Sequence, residues 1–125
     1  MIYYPLTTTM LAGLREILII STPSDVPRFQ QFLGDWSRWG VSLTYAEQPE
    51  PKGLTQTFVI GREFVDGRPS VLIFGDNILY GSGFNDHLRQ ANTVLNGATV
   101  FGYHVGEHER YGVAEIGQDG RVLSI

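Results

Sequence analysis

A single carboxylate interrupts an apolar run. Residues 70–81 read SVLIFGDNILYG, and Asp76 stands between Gly75 and Asn77, directly after a segment, 70–74, with the character of a strand buried on both faces. Two chemistries suit an aspartate in that place. It can hold a metal ion at the carboxyl end of a parallel strand, where open α/β sheets gather their ligands. Alternatively it is a turn residue whose side chain hydrogen-bonds its own loop, since Gly, Asp and Asn are the ordinary residues of strand-to-loop turns. Few other residues compete for a role. His87, His104 and His108 lack metal-ligand spacing. Trp36 and Trp39, in GDWSRWG, offer either a flat platform for a carbohydrate or packing in a helix-to-strand loop, and loop packing is the favoured reading.

The elements that must position Asp76 follow from hydropathy patterning. Residues 15–22 (REILIIST) form a β-branched run without alternation, the mark of a strand buried on both faces. A helix follows, with Ser24 or Asp25 as its cap, Phe29, Phe32 and Leu33 on one face and Gly34 as its stop. Residues 41–48 read as the next strand, 49–53 (PEPKG) as a rigid loop, 54–64 as a helix and 68–74 as the strand leading to Asp76. Residues 84–95 have helical spacing, and 97–105 read as another buried strand. The end of the chain alternates on either side of Asp119-Gly120, a hairpin signal. The alternation of strands and helices predicts an α/β fold, a mostly parallel sheet with helices on both faces and a C-terminal β-hairpin.

Composition narrows the classes. With 125 residues there is room for one small domain. The chain has no cysteine, which excludes disulfides and thiolate metal sites and suits the cytoplasm. The net charge is −4, eight of the nine basic residues are arginines, and Lys52 is the one lysine. No basic stretch appears, which argues against a nucleic acid polymer as partner. No apolar run has the ~18–20 residues that span a bilayer, so no membrane association is expected. The first residues, MIYYPLTTTMLAG, lack the charged start of a signal peptide and read as an apolar helix that expects to be covered.

Several segments taken together resemble one family. STPSDVPRFQQ, QPEPKGL, LIFGDNILYG, GATVFGYHV and ERYGV are similar, in order and over nearly the whole chain, to glucose-1-phosphate thymidylyltransferase, the dTDP-glucose pyrophosphorylase of the sugar nucleotidyltransferases. The resemblance implies a Rossmann-like nucleotidyltransferase sheet. It also implies synthesis of dTDP-glucose and pyrophosphate from dTTP and glucose 1-phosphate with Mg²⁺, in the dTDP-rhamnose route to cell-surface polysaccharide. The sugar phosphate oxygen would attack the α-phosphorus in line, so positioning and charge neutralisation matter more than a nucleophilic side chain.

The resemblance also implies roles for particular residues. Asp76 matches the family's metal-binding aspartate, and a single Asp beside phosphate oxygens suits Mg²⁺. Asn77 would orient the turn or touch substrate, although turn capping explains it equally well. Gln48 falls on the glutamine that reads the nucleobase; an amide's donor and acceptor complement N3–H and O4 of thymine, and of uracil too. Gly53 matches a glycine that lets the backbone approach the base, against an ordinary turn glycine. Tyr111 and Gly112 match the positions that contact the hexose. Tyr80 and Gly81 fall near a regulatory nucleotide-sugar site of the family.

Some family features have no counterpart within residues 1–125. The Gly-rich phosphate loop with its Gly-Thr-Arg step would lie ahead of Met1, and the Glu-Lys pair and second metal aspartate would lie beyond Ile125. The expectation is one partial nucleotidyltransferase domain over 1–125, its central portion, with the first strand missing and two interior edges open. Such a chain alone is expected to be inactive, and open edges predict a homo-oligomer or poor solubility. The alternatives are a sibling enzyme using UTP or CTP, and a catalytically dead remnant that binds a nucleotide sugar or a full-length partner.

Overall fold

The run expected as a doubly buried strand forms β1 (Glu16–Ser21), which pairs in parallel with β2 (Ser42–Glu47) in the register Glu16↔Ser42 through Ser21↔Glu47. Parallel strands need a crossover, and α2 (Val26–Leu33) provides it. The computed structural model describes residues 1–50, 52–81, 83–94, 97–106 and 112–124. The chain divides into two compact units, Met1–Arg89 and Gln90–Ile125. No helix among the described residues is long and apolar enough to cross a membrane.

In the first unit, α1 (Tyr3–Leu11) precedes β1. The hydroxyls of Thr7, Thr8 and Thr9 donate back to the carbonyls of Tyr3, Tyr4 and Leu6 at 2.7, 3.0 and 2.8 Å, which satisfies them inside the helix. Its last carbonyls are also served. Arg15 Nη1 donates to Met10 O and Leu14 O, both at 2.9 Å, across the left-handed turn at Gly13 (φ 86°).

The core lies on one face of the strand pair. Leu6 of α1, Ile19 of β1 and Leu33 of α2 are buried together, and Ile17, Phe29, Trp36, Leu43 and Tyr45 pack against them. Ile17 and Ile19 stand opposite Leu43 and Tyr45 in the register, so one pleat face carries all four. Leu18 points to the opposite face, where its Cδ2 lies 3.3 Å from the position a Cβ on Gly61 would take. Chain therefore covers both faces of the pair, as the α/β reading requires. The Tyr45 hydroxyl is buried with no hydrogen-bond partner among the described residues, and burial raises its pKa above the ordinary tyrosine value.

Several expectations are corrected in detail. Asp25 occupies the N-cap of α2, but its carboxylate makes no capping bond to the helix backbone. It accepts instead from the Thr22 hydroxyl at 2.7 Å and from Arg28 at 3.2 Å. Ser24 does not cap either; its hydroxyl lies 3.0 Å from that of Thr22. Gly34 ends α2 as expected, at φ 61°. In the loop that follows, Asp35 accepts from the backbone N–H and the hydroxyl of Ser37, both at 2.8 Å, and these bonds hold its carboxyl below the ordinary aspartate range. Trp36 is a packing residue whose indole N–H donates to Leu33 O at 2.8 Å, and Arg38 sits 4.7 Å over the half-exposed Trp39 ring.

The helix expected over 54–64 is two short ones, α3 (Thr55–Ile60) and α4 (Arg62–Val65), parted at Gly61. A Cβ there would lie 3.1 Å from Thr57 O and 3.3 Å from Leu18 Cδ2, so the chain approaches β1 closely where the two helices part. Residues 68–74 carry no strand among the described residues, and neither do 97–105 in the second unit. A lone extended run has no ladder to satisfy its backbone groups. Among the described residues β1 pairs only with β2, and no strand pairs with 68–74. Val71, Leu72, Phe74, Val100 and Phe101 are correspondingly exposed. Helix α5 (Phe84–Ala91) stops short of the expected 84–95, with a turn at Thr93, whose hydroxyl and amide both bond Gln90 O. In the second unit the hairpin forms as read: β3 (Glu115–Ile116) pairs antiparallel with β4 (Val122–Ser124), and Gly120 turns with φ 78°.

Candidate functional site

The carboxyl end of β2 delivers Gln48. Its backbone N–H donates to Ser21 O at 2.8 Å, extending the β1–β2 ladder by one step. The side chain is then caught by the loop it enters. Gln48 Nε2 donates to Gln56 Oε1 at 2.9 Å and approaches Gly53 O at 3.5 Å. Gln56 lies in the first turn of α3, and its Oε1 also accepts from the Lys52 backbone N–H at 3.3 Å. The loop closes because Gly53 adopts φ 86°, a left-handed conformation that other L-residues rarely tolerate. A Cβ on Gly53 would meet nothing within 4 Å, so the dihedral, and not crowding, calls for glycine here. That side of the loop is open to a flat ligand.

The Gln48 amide is thus half committed. Its nitrogen is oriented by Gln56, while its carbonyl oxygen accepts from no described residue. An amide held in this way at a strand end offers a fixed acceptor, while its two N–H donors are occupied by Gln56 and, more weakly, by Gly53 O. Sequence reasoning assigns no role to Gln56. The Gln48–Gln56 bond spans a loop whose path depends on Gly53, and a glutamine in a short helix carries no compositional signal. Lys52 and Glu50 pair at 2.8 Å on the surface, both sides about two-thirds exposed, an arrangement of little energetic weight.

Asp76 lies in a second place within the same unit. The Asn77 N–H donates to Phe74 O at 3.1 Å and closes the turn, and Ile2 Cδ1 lies 3.7 Å from the position of a Cβ on Gly75. The turn therefore rests near the start of α1. The Asp76 carboxylate is exposed and has no hydrogen bond or ion pair among the described residues. A side chain bonded to its own loop, one of the two chemistries open to this residue, is not what the structure has. Asn77 is half-buried. No hydrogen bond or ion pair joins the Gln48 loop to the Asp76 turn among the described residues.

One exposed, unpaired carboxylate matches what Mg²⁺ accepts when phosphate oxygens and water complete its shell. Among the described residues, no group of three or more His, Asp or Glu side chains is placed to hold a metal without such a ligand. Gly112 belongs to the second unit, is exposed, and has open space where a Cβ would be. Tyr111 lies outside the described residues. Tyr80 is fully exposed and, with Gly81, lines a cleft of about 400 Å³ bordered by Thr8 and Leu11 of α1 and Phe84 and Arg89 of α5.

Known proteins add to this geometry. Residues 1–125 match the family model described as nucleotidyl transferase. A glucose-1-phosphate thymidylyltransferase of Xanthomonas campestris pv. campestris is 57% identical over 125 residues, which cover 100% of this chain and 42% of the relative. Proteins of the same name from Neisseria gonorrhoeae and Mycobacterium tuberculosis are 52% and 46% identical, again over the whole chain and 43% of each relative. The chain spans about two-fifths of the length of these curated relatives.

Proposed function

The chain belongs to the nucleotidyl transferase family, and from that membership we propose that its residues serve a glucose-1-phosphate thymidylyltransferase. The reaction moves a thymidylyl group from dTTP to glucose 1-phosphate and yields dTDP-glucose and pyrophosphate. The observation that carries this reading is the 46–57% identity, over all 125 residues, to proteins bearing that name. The Gln48 loop supports it from the geometry.

Gln48 reads the base: its Oε1, which no described residue engages, accepts the ring N3–H, and the second Nε2 hydrogen exchanges its long 3.5 Å contact with Gly53 O for a carbonyl of the pyrimidine. Gln56 is a positioning residue that holds the amide so that little rotamer freedom remains to be lost on binding. Gly53 leaves one side of the base unobstructed. Asp76 would hold Mg²⁺, with Asn77 setting the turn, and the ion when bound would neutralise charge on the nucleotide phosphates. Tyr111 and Gly112 take the hexose. The Gly-rich phosphate loop is not among residues 1–125, so these residues alone bind nucleotide sugar and release no pyrophosphate. Exposed Val71, Leu72 and Phe74 are the apolar surface on which a homo-oligomer is expected to form.

Two measurements test the reading. Titration calorimetry of the 125-residue chain with dTDP-glucose is expected to show binding that Gln56→Ala weakens several-fold with an unchanged unfolding midpoint. A pyrophosphate-release assay is expected to give no turnover for this chain, and turnover for the protein extended to its relatives' length. Turnover by the short chain would overturn the assignment of roles. Nucleotide-sugar binding with no turnover at full length would instead identify a catalytically dead binding protein. UTP competing as well as dTTP would assign the protein to a uridylyl-transferring sibling.

A further inference from the structure

The sequence contains two Asp-Gly steps, Asp66-Gly67 and Asp119-Gly120, and the structure treats them differently. Asp119 is held: its Oδ1 accepts from the Arg121 backbone N–H at 3.1 Å, its Oδ2 lies 3.6 Å from Arg121 Nε, and the Gly120 N–H donates to Gly117 O at 3.0 Å. Asp66 is not. It follows α4 directly with φ 47°, the one non-glycine residue of positive φ among the described residues. Its carboxylate is exposed and has no partner among them. The Gly67 amide likewise donates to none of them. Two backbone bonds hold the turn, Asp66 N–H to Arg62 O and Arg68 N–H to Val65 O, both at 2.9 Å, and neither engages the Asp66 carboxylate or the Gly67 amide.

We infer that Asp66-Gly67 is a site of spontaneous isoaspartate formation in the folded protein. The Gly67 nitrogen attacks Cγ of the protonated Asp66 side chain and the N–Cγ bond forms. The carboxyl hydroxyl leaves with the amide proton as water, giving a succinimide. Water then adds to the former main-chain carbonyl and breaks its bond to the Gly67 nitrogen, so the backbone continues through Cβ and Cγ. Elemental composition is unchanged, and no oxidant or cofactor takes part. Glycine supplies an unhindered nucleophile, and the left-handed conformation is one an aspartate gains by leaving. At Asp119 the same attack must first break the Gly120 and Arg121 hydrogen bonds.

The extra methylene enters next to a clasp. Arg68 donates to Glu16 Oε2 at 2.8 Å and to Phe64 O at 2.9 Å, joining the end of α4 to the first residue of β1. Isomerisation two residues upstream lengthens the chain at this point and releases Arg68.

The test is to age the protein in H₂¹⁸O at mildly acidic pH, digest it, and locate incorporated ¹⁸O by peptide fragmentation. The native protein is expected to take label at Asp66 roughly tenfold faster than at Asp119, the scale set by one strained residue and the hydrogen bonds that hold the other. In urea the two rates should converge, because the two steps are then chemically alike. Asp66→Glu should abolish label at residue 66, since a six-membered imide closes slowly. Equal native rates, a faster Asp119, or label persisting at residue 66 in Asp66→Glu would each overturn the inference. Asn96-Gly97 deamidates in a different peptide and is told apart by its mass change.

Discussion

Replacing Asp76 with alanine in the protein extended to its relatives' length is expected to lower Mg²⁺-dependent turnover by roughly 10²–10³-fold, the usual scale for losing one electrostatic contact to a transferring group. The direction follows from the position of the carboxylate. It is exposed, it has no partner among the described residues, and it closes a turn whose backbone bond belongs to Asn77 and Phe74. Its removal therefore takes away charge without taking away an interaction of the fold, and the unfolding midpoint should stay where it was. Asp76→Asn should fall nearly as far, because it keeps the shape and loses the charge. The deciding measurement is kcat against Mg²⁺ concentration alongside KM for dTTP. A deficit in kcat with nucleotide affinity retained assigns Asp76 to the metal. Unchanged turnover in both variants would return it to the status of a turn residue.

Leu6→Ala is expected to be the most damaging substitution for stability, costing about 2–5 kcal/mol, the range for truncating a buried leucine. Leu6 is only 3% exposed and reaches both Ile19 of β1 and Leu33 of α2, so it joins α1 to the strand pair. Single domains are commonly stable by about 5–15 kcal/mol, so this one change removes a large share. Phe32→Ala on the same helix as Leu33 is the control. Phe32 is 61% exposed and its main neighbour is the Tyr3 ring at 5.4 Å, so the loss should be under about 1 kcal/mol. Urea unfolding followed by tryptophan fluorescence reads both, since Trp36 packs against the same core. Equal losses for the two variants would show that α1 does not hold the sheet through Leu6.

What the sequence makes legible is what neighbours along the chain decide. β1 and β2 are foreseen within a residue because each finds its ladder in the other across one helix, and Gly34 and Gly120 mark ends through backbone conformation alone. The hairpin is legible for the same reason. Residues 68–74 and 97–105 are apolar on both faces, a pattern that states a demand for neighbours without stating where they come from. The close approach of Gly61 to Leu18, more than forty positions earlier, is likewise contained in no window of local sequence. At the candidate site, Gln48, Gly53 and Asp76 are named from motif resemblance; the structure gives Asp76 an exposed carboxylate and Gly53 the positive φ that a turn glycine also has. Gln56 is invisible beforehand, because its part exists only once the loop has turned.

The strand pair also orders events in time. β1 and β2 are adjacent in sequence, separated only by a crossover whose helix brings its own buried leucine, whereas the Arg68–Glu16 clasp closes a loop of 52 residues. Closing the longer loop carries the greater entropic cost, so the strand–helix–strand unit is expected to form before the clasp. Seen as a foldon, it is the last part to open under native conditions. Amide protons of Leu18 through Ala46 at the β1–β2 ladder should then be the slowest in the chain to exchange with solvent. A protein remodelled or nicked anywhere after residue 66 would still keep that unit.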